Sequence, residues 1–183
     1  MRGEVMRITE PFVKVSYTLW LVSKGANNIE VSVDGAEPKH EIVAQTLALK
    51  GYRRQPLKGS NVSWTGIFSC KGVEITVLSK PGVDIKAYFQ DGKILVAECK
   101  GEPTPSGVKS GLDLTAFYTA LGQLIITADD EGKLPSNLVL VVPDTSRLRD
   151  RVIRTSQNTR FNKLGVGLVL VDESGKVTEI TPH

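Results

Sequence analysis

The chain has 183 residues, 40% apolar and 23% charged, a composition that fits one globular domain and excludes a disordered or low-complexity chain. Basic residues outnumber acidic ones by 23 to 20, and a net +3 is too weak to argue nucleic-acid binding from bulk charge. No apolar run approaches the ~18 residues that span a bilayer, Cys70 and Cys99 form neither a disulfide framework nor a zinc spacing, and the start MRGEVMRITEPF lacks an apolar h-region, so a reducing cytoplasm is the expected compartment.

From Phe12 to Val22 apolar and β-branched residues are dense, and Ile29–Val33 alternates with period two. SKGANN between them is turn material, which predicts an N-terminal β-hairpin within residues 1–36. Glu37-Pro38 opens a helical pattern carried by Ile42, Val43, Leu47 and Leu49 and closed by Gly51. Residues 37–183 read as one core with no internal repeat.

Tyr52 to Gly101 reads as strand and turn. The runs Trp64–Cys70, Val73–Leu78, Val83–Phe89 and Ile94–Lys100 are separated by Lys-Gly, Pro-Gly and Asp-Gly turns. After a loop rich in proline and glycine, Asp113 is the expected N-cap of a helix over Leu114–Ala128. A very apolar strand, Leu138–Val142, a helix from about Ser146 and a final strand, Val166–Val171, complete a mixed α/β pattern.

The stretch PGVDIKAYFQDGKILVAECKGE carries the chemistry. Side chains alternate across a strand, so Glu98 and Lys100 share a face and Cys99 points the other way. If Asp84 looks to that face, two carboxylates and an ammonium converge, a set suited to phosphodiester hydrolysis. Carboxylates hold Mg²⁺, a hard cation, with Mn²⁺ as a substitute. A lysine beside the metal orients the attacking water or stabilises the charged phosphorane. Register decides this convergence. A two-residue Asp91-Gly92 turn sets Asp84 opposite Cys99 and turns it away from Glu98; a three-residue Gln90-Asp91-Gly92 loop pairs Phe89 with Lys93 and Asp84 with Glu98, and a bulge elsewhere between the two acids would do the same.

Asp84 followed by Glu98-Cys99-Lys100 on a neighbouring strand resembles the PD-(D/E)XK nuclease superfamily, which includes restriction endonucleases and Holliday junction resolvases. Glu41, early in the preceding helix, is similar to an extra acidic helix residue of some members, and Gln123 in FYTALGQLI to a helix glutamine. The matching features run from Glu41 to about Val142. Val83 stands where the motif has proline, and no tyrosine follows Gln123 at the spacing of the exonuclease branch. The resemblance implies a restriction-endonuclease-like α/β fold, a mixed sheet flanked by helices, and Mg²⁺-dependent cleavage of DNA. It implies catalytic roles for Asp84, Glu98, Lys100, Gln123 and Glu41, with Asp84, Glu98, Glu41 and the Cys99 carbonyl as metal ligands. It also admits a homodimer, since two strands are commonly cut by two sites.

Each of these residues has a plainer alternative. Asp84, Glu98 and Lys100 could be a solvated cross-strand ion pair, although Ile94–Ala97 before them read as buried on both faces. Glu41 in a first helical turn suits the macrodipole regardless, and Gln123 between leucines could satisfy a backbone group. Gly122 inside a helix suggests a close approach by the sheet or by DNA. Arg147, Arg151 and Arg154, spaced i, i+4, i+7, share one helix side. They are either a solvated face or a phosphate-contacting one. The rival function is a non-catalytic nucleic-acid-binding protein on the same fold.

Overall fold

The apolar run after Pro11 forms a helix and not the first strand of a hairpin. Helix α1 spans Glu10–Ser23 and buries Val13, Lys14, Tyr17, Thr18 and Leu21, the spacing of one helix face. Proline in the first turn and Glu10 at its start favour helix entry there. Its valines suggested a strand, but packing against a sheet overrides so small a local preference. In this computed structural model, residues 7–33, 40–102, 112–127 and 137–181 are described, 112–114 and 127 by their backbone alone. The expected helix opening at Glu37-Pro38 lies outside the described residues.

The remaining helices are α2 (Glu41–Leu49), α3 (Leu112–Thr127), α4 (Ser146–Ser156) and the short α5 (Thr159–Asn162). Helix α3 starts one residue before Asp113, which therefore sits in its first turn and not at its N-cap. Thr145 caps α4, its hydroxyl accepting from the Leu148 amide at 3.3 Å. The strands are β1 (Ala26–Ser32), β2 (Arg53–Gln55), β3 (Gly66–Cys70), β4 (Val73–Leu78), β5 (Ile85–Phe89), β6 (Ile94–Cys99), β7 (Asn137–Pro143), β8 (Val166–Val171) and β9 (Val177–Ile180). Sequence patterning did not anticipate β2, α5 or β9, so Val166–Val171 is not the last strand.

The nine strands among the described residues join one mixed sheet in the order β2-β3-β4-β1-β5-β6-β7-β8-β9. Strand β1 lies inside it, parallel to β4 and antiparallel to β5, and so has no hairpin partner. Strands β5 and β6 form an antiparallel hairpin, and β6, β7 and β8 run parallel. Alternation sorts the side chains into two cores. Leu95, Ala97, Cys99, Val139 and Val141 join α1 and α2 on one face. Val96, Leu140 and Val142 meet Phe117, Ala120 and Leu124 of α3 and Leu148 and Val152 of α4 on the other. Burial on both faces explains the unbroken apolar runs of β6 and β7. No helix among the described residues is long and apolar enough to cross a membrane.

Candidate active site

The β5–β6 register places the acidic residues. Ile85 pairs with Ala97, Lys86 with Val96 and Tyr88 with Ile94. The Phe89 amide donates to the Lys93 carbonyl at 3.0 Å, which closes the three-residue loop Gln90-Asp91-Gly92. Gly92 stands at φ +82°, the left-handed conformation such a loop demands and glycine supplies. One step further the same register sets Asp84, just before β5, opposite Glu98.

Both carboxylates are buried, Asp84 with 8% and Glu98 with 5% of its surface exposed. They lie where β1 and β6 end and β5 begins, and the first turns of α1 reach Asp84 through Lys14. The Asp84 carbonyl accepts from the Ser32 amide at 2.8 Å. Its Oδ2 accepts from the Cys99 amide at 2.7 Å and so extends the β5–β6 ladder by one side-chain bond. Oδ1 accepts from the Lys14 ammonium at 2.6 Å. Lys14 also donates to the Ser32 carbonyl at 3.1 Å and to Glu10 Oε1 at 2.9 Å, so all three of its protons are used. Beside this group, Lys100 donates to Glu98 Oε1 at 2.7 Å, and its backbone amide holds the Val141 carbonyl of β7 at 3.0 Å.

Gly101 brings α1 into this position. A Cβ there would lie 2.8 Å from the Thr9 carbonyl carbon and closer still to the Glu10 amide nitrogen. The Glu102 amide donates to the Ile8 carbonyl at 2.8 Å, and Arg7 Nη2 donates to the Glu102 carbonyl at 2.6 Å. The residues after Lys100 therefore fix the chain that enters α1, and through it Glu10 and Lys14.

The electrostatics follow from burial. Desolvation and the adjacent Asp84 carboxylate push Glu98 up to about 7, against the opposing pull of Lys100. Burial raises Asp84, with Lys14 and the Cys99 amide acting against it. Burial alone would lower both lysines, but Asp84 and Glu10 raise Lys14, and Glu98 raises Lys100. Cys99 is fully buried in the core under α1, on the face opposite Glu98.

The structure leaves two of the expected residues on exposed helix surface. Glu41 is exposed in the first turn of α2, and Gln123 is exposed on α3. The acidic neighbour of Asp84 and Lys14 is Glu10 of α1. Sequence reasoning missed both Glu10 and Lys14, because the strand assignment hid the helix that presents them; Pro11 beside an acidic residue was the available signal. Among the described residues Gly122 meets nothing within 4 Å of where a Cβ would stand, so none of them requires its close approach. Arg147, Arg151 and Arg154 do share one side of α4 and line one shallow hollow with Asp150.

Among the described residues no three Asp, Glu, His or Cys side chains are arranged to hold a metal ion. Asp84 and Glu98 are instead a pair of hard oxygen donors, each raised in part by its acidic neighbours. That is the donor chemistry a divalent cation satisfies, since a positive ion between them relieves both repulsion and desolvation. Comparison with known proteins finds no matching family model, no matching curated protein and no matching solved structure.

Proposed function

We propose that this chain is a restriction-endonuclease-like, metal-dependent nuclease of the PD-(D/E)XK type, acting on DNA phosphodiester bonds in the cytoplasm. The observation that carries the reading is the β5–β6 register, which sets Asp84 opposite Glu98 with Lys100 bonded to Glu98. Asp84 and Glu98 would hold Mg²⁺ or Mn²⁺, with Glu10 as the neighbouring acid and Glu41, at the start of α2, as a further proposed one. Bound there, the cation supplies acidification of a water and neutralisation of charge on phosphate oxygens. Lys100, a quarter exposed beside Glu98, is the group that would orient the attacking water and stabilise negative charge on the phosphate. Arg147, Arg151 and Arg154 of α4 are the proposed phosphate contacts, and Gln123 a proposed helper from α3.

One observation favours the rival, a non-catalytic nucleic-acid-binding protein on the same fold. Lys14 already occupies Asp84 Oδ1 and Glu10, so a positive charge resides among the acids without any metal. Incubation with plasmid, linear and branched DNA in Mg²⁺, Mn²⁺ or EDTA separates the two. The nuclease reading expects cleavage in either metal, none in EDTA, and loss of cleavage in Asp84→Ala and Lys100→Ala. Binding without cleavage under every condition establishes the rival, and cleavage that persists in EDTA refutes the metal site.

A further inference from the structure

Positive charge is concentrated in one part of the chain. Residues 144–164 hold six basic side chains (Arg147, Arg149, Arg151, Arg154, Arg160, Lys163) against Asp144 and Asp150. That net +4 exceeds the +3 of the whole chain, so the remainder is slightly acidic. Within the segment Arg149 is taken up by Asp144, which binds its Nε at 2.8 Å and pairs with Nη2. Arg154 and Arg160 are exposed and make no ion pair among the described residues.

These arginines border a cleft of about 460 Å³ between α3 and the α4–α5 corner, floored by Tyr118, Phe161 and Leu164. Tyr118 is 52% and Leu164 50% exposed, an unusual outlay of large apolar surface beside so much charge. The Arg151 guanidinium carbon lies over the Tyr118 ring, 5.7 Å from its centroid, within cation–π range. Phe117 meets Tyr118 edge-on at 5.6 Å and holds it from below. An aromatic face and an apolar wall next to unpaired guanidinium groups are the two halves of a nucleotide site: rings stack on bases and arginines fork onto phosphates. Duplex DNA offers phosphates but keeps its base faces stacked inside. A second copy of this chain is disfavoured as occupant, because a two-fold contact here would set two arginine clusters against each other.

We infer that this cleft receives an unpaired nucleotide of a nucleic-acid strand, its base against Tyr118 and Leu164 and its phosphate on Arg154 and Arg160. The inference rests on the proposed nucleic-acid reading and deepens it by naming the form of strand that is gripped. The test is fluorescence anisotropy in EDTA with a labelled single-stranded DNA, an RNA of the same sequence and the matching DNA duplex. Tyr118→Ala should weaken single-strand binding roughly tenfold, since a base–aromatic stack is worth about 1–3 kcal/mol, and should change duplex binding less than about threefold. Arg154→Gln with Arg160→Gln should weaken binding of both single strands, whereas Lys58→Gln, near the opposite sheet edge, should leave it within twofold. Circular dichroism checks that the exposed Tyr118 is dispensable for folding. Equal losses for single strand and duplex in Tyr118→Ala, or none, would overturn the inference while leaving the nuclease reading intact; duplex cleavage without any single-strand affinity does the same. A dimer in light scattering that Tyr118→Ala dissociates would reassign the cleft to self-association. Failure of every nucleic acid to bind removes both readings together.

Discussion

Lys14 is buried with 1% of its side chain exposed and is bonded to Asp84, Glu10 and the Ser32 carbonyl. Removing one partner of a buried pair leaves the other charge uncompensated, at about 3–5 kcal/mol. Lys14→Met should therefore destabilise the protein by about that much in urea unfolding, and Lys14→Met with Asp84→Asn should recover a large part of the loss. Additive single effects would show that the pair is not coupled. Glu98 makes the opposite demand. Its carboxyl is pushed up to about 7 from an ordinary 4.5, so between those values the folded protein keeps a proton that the unfolded chain has released. Stability contributed by protonated Glu98 is full below about 4.5 and falls as pH rises to about 7, a loss on the order of 3 kcal/mol. Glu98→Gln carries no such proton. In EDTA the variant should gain on the parent chain from about pH 5 to pH 7 and level off above, and parallel stability–pH curves would show that the raised carboxyl has been misidentified.

At the scale of elements, the site exists because α1 lands on the ends of β1 and β6. Gly101 permits that landing, since any Cβ at this position runs into the backbone of Thr9 and Glu10. Backbone cannot step aside as a flexible side chain does. Gly101→Ala should cost at least the 1–3 kcal/mol typical of overpacking and displace Glu10 and Lys14 from Asp84. Thermal unfolding reads the first effect. The second is read by the Lys14–Asp84 coupling energy, which should shrink in the Gly101→Ala background. Unaltered coupling would mean that α1 is seated by its core face alone.

Across the whole molecule, acidic and basic functions are separated. Asp84 and Glu10 meet at the strand ends under α1, with Glu98 beside them at the end of β6, whereas the basic surplus lies on α4 and α5, which pack on the other side of the sheet from α1. Such a division suits a polyanion, which needs positive surface to bind and a cation-hungry spot to react. Binding should then weaken as salt rises, because each neutralised phosphate releases counterions. Changing Arg147, Arg151 and Arg154 to Gln should reduce the slope of log affinity against log salt by about 0.7–0.9 for each phosphate that is no longer neutralised. A slope that the triple variant leaves unchanged returns this helix side to an ordinary solvated surface.

What the sequence determined by itself is local. Turn chemistry at Asp91-Gly92 marked the β5–β6 hairpin, because a left-handed position selects glycine, but it offered two registers, and the fold took the three-residue loop that pairs Phe89 with Lys93. The apolar runs of β6 and β7 were legible as strands buried on both sides, and Arg147, Arg151 and Arg154 as one helix side, since both follow from backbone periodicity. Tertiary structure decided whatever depends on partners distant in the chain. Residues 12–22 satisfy strand and helix preferences about equally, and only the sheet beneath α1 made the helix the lower-energy choice. With that helix came Glu10 and Lys14, far before Asp84 in the chain and without any motif to connect them. The position of β1 inside the sheet and the seat of α1 on Gly101 were equally out of reach. Periodicity reports which face of an element is apolar; it carries no information about which other element covers that face.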